Sequence, residues 1–234
     1  MKLLECPPLQ RVASFLEHVD VGEYVVKGNL ELYSCKLAGL DKKLSHSLEQ
    51  EFQMEYASSP DFLTMSSPVG PMSDAQNRRT LAYLILVLNQ MYADYDFSQL
   101  RAHHFRKQPG VDEAEELAEE RLMEVAEAWN CTPGCGEEDF RSSLWSAVAE
   151  AIDLTDCEVY SYQSDLESDP FGEDGSLWSF NFFFYTRRQK RILYFSCRGC
   201  AKGRDNSDDS TPDHGAYDSE SEGPTQMSQF DIEI

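Results

Sequence analysis

Residues 177–197 read LWSFNFFFYTRRQKRILYFSC. Side chains alternate between the two faces of an extended strand. Trp178, Phe180, Phe182 and Phe184 therefore share one face, and Phe183 and Tyr185 enrich the other. The polar run TRRQK at 186–190 interrupts the pattern, which resumes at 191–197. Two such runs about a short polar loop predict a β-hairpin. Strands this apolar on both faces belong inside a sheet that is covered on both sides.

Working outward, 158–162 reads as a further strand. Residues 23–33 alternate Tyr24, Val26, Leu30 and Leu32 with Glu23, Lys27, Asn29 and Glu31, the period of a half-buried strand. Helical spacing appears elsewhere. Pro7 and Pro8 start a stripe of Val12, Phe15, Leu16 and Val19 that stops near Gly22. Leu44, Leu48 and Phe52 follow Asp41, and Asp74 stands as a cap before Leu81, Leu84, Ile85, Leu88 and Met91. Residues 112–130 hold eight acids and one arginine, yet Ala114, Leu117, Ala118, Leu122, Val125 and Trp129 line one side. That pattern predicts one surface helix with a negative outer face. Phe140, Leu144, Val148 and Ile152 give another helix after Asp139.

The fold class expected is α+β: a central antiparallel sheet, including the C-terminal aromatic-rich hairpin, covered by amphipathic helices. Residues 1–198 are expected to form a single globular domain. Within it, 53–76 carries five serines and three prolines and reads as a mobile insertion too polar and interrupted to pack. Residues 199–234, rich in Gly, Ser and acids, read as an acidic disordered tail.

Charge narrows the function classes. Twenty Lys and Arg against 42 Asp and Glu give −22, of which the last 34 residues, with nine acids and two basic groups, carry −7. A surface so negative repels phosphate backbones, which argues against direct nucleic-acid binding and for basic protein partners. The longest apolar run, LAYLILVL at 81–88, is too short to span a bilayer, and Pro7 and Pro8 interrupt any secretory leader. Seven cysteines, an odd number, are expected to stay reduced in a cytosolic or nuclear compartment.

Chemistry has few places to reside. Asp165, Glu167, Asp169, Glu173 and Asp174 crowd into DLESDPFGEDG. Paired carboxylates can hold a divalent cation or run acid/base catalysis. A calcium loop begun at Asp165 would need glycine and glutamate where Pro170 and Ser176 stand, so the readings kept are a solvated loop or a partner-binding acidic loop. Cys197 and Cys200 have zinc-like spacing without a second such pair, and no cofactor is expected. His103 and His104 are adjacent and point apart on a helix. No nucleophile elbow, phosphate loop or H-E-x-x-H occurs, so an enzyme is not expected. Arg187, Arg188, Lys190 and Arg191 form the one dense basic run, a candidate nuclear import signal.

Three groups of residues carry a family resemblance: MKLLE at 1–5 with LYSCKLAGLDKK at 32–43, NRRTLAYLI at 77–85 with DYDFS at 94–98, and YSYQSDLESDPFGEDGSLWSFNFFFYTRRQKRILYFSCR at 160–198. Together, and in this order, they resemble the Maf-one family of RNA polymerase III repressors. The resemblance implies a nuclear, non-enzymatic repressor that binds the polymerase at its basic clamp and winged-helix region. It would block engagement with promoter-bound initiation factor under stress or starvation. It also implies control by protein kinases and phosphatases acting on a serine-containing insertion, here with Ser59 and Ser67 as candidates. An import receptor and shuttling between nucleus and cytoplasm complete the expected partners. Readings of another class are an acidic cytoplasmic scaffold and a metal-dependent hydrolase built on the 165–174 acids.

Overall fold

A computed structural model describes residues 1–58, 67–135, 138–164, 170–171 and 175–202. In chain order its elements are β1 (Lys2–Leu3), α1 (Pro7–Leu16), β2 (Val19–Asp20), β3 (Tyr24–Ser34), α2 (Gly39–Ser58), α3 (Ala75–Met91), β4 (Phe105–Lys107), α4 (Val111–Arg121), α5 (Met123–Cys131), α6 (Phe140–Ala151), β5 (Glu158–Tyr162), β6 (Ser176–Thr186) and β7 (Arg191–Ala201). The seven strands form one sheet in the order β1-β3-β7-β6-β5-β4, with β2 also on β3, and every pairing is antiparallel. The α+β expectation and the hairpin hold.

The central strands show why the sequence folds this way. Across β3, β7 and β6 the register aligns Leu32, Leu193 and Phe184, then Leu30, Phe195 and Phe182, then Gly28, Cys197 and Phe180. These rows face a core closed by α1, α4, α5 and α6, where Leu16, Val125, Trp129 and Val148 meet them. The alternate residues Tyr33, Ile192, Tyr194, Phe183 and Tyr185 face a second core, filled chiefly by α3 from Leu81 to Leu88 together with Leu48 and Phe52 of α2. Gly28 is required by close approach. A Cβ there would lie 2.8 Å from Cys197 Sγ and 3.0 Å from the Leu16 Cβ, so its absence lets α1 settle on the sheet.

The caps act as expected. The Asp74 carboxylate accepts the Gln76 N–H at 2.8 Å, and Asp139 accepts the Ser142 N–H at 2.9 Å. The expected helix over 112–130 is instead two, α4 and α5, hinged at the buried Leu122 (φ −106°, ψ 16°). Neither glycine nor proline marks that hinge in the sequence.

The stretch 53–76 packs more than its composition suggests. Helix α2 runs on to Ser58, because Arg101 Nε donates to both Glu55 oxygens at 2.8 and 2.9 Å while its guanidinium lies over Phe52. Past residues 59–66, which lie outside those described, Val69 and Met72 are buried in the second core. The Asn77 side-chain amide donates to the Pro71 carbonyl at 3.0 Å, and Arg78 to that of Met72 at 2.6 Å. Pro68, Pro71 and Gly70 (φ +97°) lie in turns that carry apolar anchors, so the expectation that all of 53–76 stays unpacked is corrected.

The expected domain end at 198 also moves. Strand β7 continues to Ala201, because its backbone still pairs with Tyr24 and Val25 after the apolar alternation has ended. Residues Met1–Gly203 form one compact unit. The expectation for the tail otherwise concerns 203–234, outside the described residues.

Candidate functional site

The basic run occupies the tight β6–β7 turn. Arg187 Nε donates to Glu158 Oε2 at 2.8 Å, and Lys107 Nζ donates to Glu158 Oε1 at 2.6 Å, so one carboxylate ties β4, β5 and the turn together. Burial pushes the Glu158 carboxyl up, but Lys107 and Arg187 outweigh it and hold the group below its ordinary value. Arg188 pairs with Asp153, whose backbone N–H donates to Gln189 Oε1 at 3.0 Å. Arg191 donates to the Ala151 carbonyl at 2.9 Å, satisfying an acceptor at the end of α6. Lys190, at φ 52°, makes no ion pair among the described residues, and its carbonyl accepts the Cys35 N–H at 2.9 Å. The four basic residues are thus brought together, but the three arginines all make folding contacts.

The remaining candidates are separated. Ser67 Oγ is buried with no hydrogen-bond partner among the described residues, and the Ser67 carbonyl accepts the Gly70 N–H at 2.8 Å to close a turn. Ser59 and the acids Asp165, Glu167, Asp169, Glu173 and Asp174 lie outside the described residues. Strand alternation sends Cys197 into the first core and Cys200 to the opposite face, so their spacing does not converge on one ion. Burial pushes the Cys197 thiol up. Among the described residues no group of three His, Cys, Asp or Glu side chains is arranged to hold a metal. Among the described residues no helix is long and apolar enough to cross a membrane. His104 Nδ1 accepts the Arg101 backbone N–H at 2.9 Å, which fixes the histidine as a local cap.

A surface that sequence reading saw only in part lies on α4, α5 and α6. Helices α4 and α5 send Ala118, Leu122, Val125 and Trp129 inward, leaving Glu116, Glu120, Glu124 and Glu127 exposed. Burial, then repulsion from Asp112 and Glu119, raises the Glu115 carboxyl despite opposition from Arg141. The sequence showed the stripe and the acids. It did not show that α6 completes a trough beside them.

Comparison with known proteins gives the class first: the chain is a relative of transcription regulators. Residues 26–196 match the family model described as Maf1 regulator, and the chain belongs to that family. It is 34% identical over 224 residues to the repressor of RNA polymerase III transcription maf1 of Schizosaccharomyces pombe, covering 90% of both chains. It is 30% identical over 246 residues to the repressor of RNA polymerase III transcription of Dictyostelium discoideum, covering 86% of both. Crystal structures agree on the fold: citrus MAF1 superposes with a TM-score of 0.67 at 36% identity, over 83% of this chain and 100% of that one. The family is one of transcriptional repressors and not a known family of enzymes.

Proposed function

We propose that this chain represses RNA polymerase III transcription by binding the polymerase directly, at a basic region such as its clamp and winged-helix subunits, and blocking its engagement with promoter-bound initiation factor. The observation that carries this reading is kinship with named repressors over nine-tenths of both chains. The acidic α4–α5 surface supports it, because a body of charge −22 is drawn to a basic partner and repelled by bare nucleic acid. Repression then needs no covalent step, only an occupied surface. Purified chain added to a reconstituted polymerase III transcription reaction should lower promoter-directed initiation, and immobilised chain should retain the polymerase. Retention should weaken as salt rises past the physiological range, where the screening length is about 8 Å. Undiminished transcription at saturating chain would end this reading.

Regulation under starvation or stress, by kinases and phosphatases and by traffic between nucleus and cytoplasm, belongs to the same proposal. A kinase acting on Ser67 must first open the turn that buries its hydroxyl. For import, the basic turn remains the candidate, and its geometry suggests a cleaner test than removing all four charges. Arg191 holds the end of α6, whereas Arg188 is 70% exposed and Lys190 has no ion pair among the described residues. An exposed ion pair such as Arg188–Asp153 contributes little to stability. Arg188→Ala with Lys190→Ala should therefore keep the fold and shift a fluorescent fusion toward the cytoplasm. An unchanged nuclear fraction with an unchanged thermal midpoint would remove the import role from this turn.

A further inference from the structure

Helices α4, α5 and α6 leave an open groove of about 300 Å³, lined by Ala118, Leu122, Met123, Ala126, Leu144 and Trp145. Ala118, Leu122 and Leu144 form its buried floor, while Met123 remains 67% exposed at its edge. The Trp145 ring packs edge-on against Phe184 and Phe195, at 6.2 and 6.3 Å between centroids, so the groove rests on the rigid centre of the sheet. Trp145 Nε1 is buried and donates to nothing among the described residues. Unpaired buried donors are rare and costly.

Two carboxylates and one guanidinium line the rim. Glu119 and Glu127 line it, with Glu115, Glu116, Glu120 and Glu124 on the same two helices. The cations on these helices are Arg121 of α4 and Arg141 of α6, and Arg141 lines the groove paired to Glu119 at 2.6 Å. Burial, then repulsion from Asp112 and Glu119, raises the Glu115 carboxyl beside this rim. A second copy of a chain carrying −22 would meet the rim with like charge and is disfavoured.

We propose that this groove receives an amphipathic helical segment of a basic protein partner. Leucine-like side chains would enter over Trp145 while flanking lysines or arginines pair with Glu119, Glu120 and Glu127. Helix-in-groove recognition works through apolar residues spaced on one face, and the charged flanks set encounter rate and orientation. The inference rests on the polymerase reading only for the source of that segment.

The test uses the full chain labelled with ¹⁵N, following the Trp129, Trp145 and Trp178 indole signals, each assigned with a Trp→Phe variant. The probe is a synthetic helical peptide with leucine on one face and lysine on the other. A control peptide of equal charge has alanine for leucine. The expected result is a saturable shift of the Trp145 indole, with affinity lower by about ten-fold or more for the control peptide and for Met123→Glu. Met123 is exposed, so this variant should keep the wild-type thermal midpoint. Ala126→Trp, which fills the groove, should weaken binding equally if it folds. A still Trp145 signal, or equal binding by the alanine peptide or by Met123→Glu, overturns the proposal. Polymerase retention by wild type and Met123→Glu then separates the two readings. Loss in the variant alone supports both, and equal retention overturns the groove as the polymerase site. No retention by wild type, with the peptide result intact, leaves the groove standing and removes the polymerase.

Discussion

Phe195→Ala should destabilise the fold by about 3–5 kcal/mol, the range for deleting a fully buried phenylalanine from a core that cannot collapse around the hole. Phe195 has no exposed surface and sits on β7, between Leu30 of β3 and Phe182 of β6. Its ring meets Phe180 at 5.2 Å and Trp145 at 6.3 Å, both edge-on. Backbone pairing on both sides fixes β7, so relaxation is limited to side chains. Loss on this scale is a large part of the ~5–15 kcal/mol that ordinary domains possess. In urea, the midpoint should fall with little change in slope, while Leu177→Ala, at a position 57% exposed, should stay near wild type. A Phe195→Ala loss below about 1 kcal/mol would mean that the sheet centre repacks freely. Because Phe195 supports Trp145, the same variant should also disturb the Trp145 indole signal without any partner present.

What the sequence made legible follows from how far each signal reaches. Strands β3, β6 and β7 were readable because period-two alternation is written in consecutive residues, and α3 because Asp74 and its apolar stripe are contiguous. The three-residue β4 and two-residue β1 and β2 are too short to show a period. They exist because a neighbour already presents an edge, as Tyr162 does to Phe105. The condition of the basic turn was hidden for another reason: its partners Glu158, Asp153 and Ala151 lie 29, 35 and 40 residues away. Composition showed the charges but could not show that they are engaged. Similarly, Leu122 and Leu144 each read as core positions, and only the hinge between α4 and α5 with the placing of α6 makes them walls of one groove.

Asn181→Leu should be the second severe change, although a lone amide within LWSFNFFFY looks like the residue easiest to replace. Ladder pairing between β5 and β6 runs from Glu158↔Tyr185 to Tyr160↔Phe183. Two residues on, the Asn181 side chain takes over from the β6 backbone. The Tyr162 N–H donates to Asn181 Oδ1 at 2.6 Å, and Asn181 Nδ2 donates to the Tyr162 carbonyl at 3.0 Å. Leucine has a similar shape but neither group, so it removes both of these hydrogen bonds at a site where Asn181 is 7% exposed. Each lost partner costs a buried backbone group about 1–3 kcal/mol, which places the variant roughly 2–6 kcal/mol below wild type. Water entering the groove beside Ser161, Tyr162 and Asn181 would set the lower end of that range. The loss should also be local. The Tyr162 amide should exchange its hydrogen faster than global unfolding explains, while amides of the β3–β7 ladder follow the global rate. Asn181→Leu within about 0.5 kcal/mol of wild type, with Tyr162 still protected, would show that the backbone of β6 can close this gap unaided.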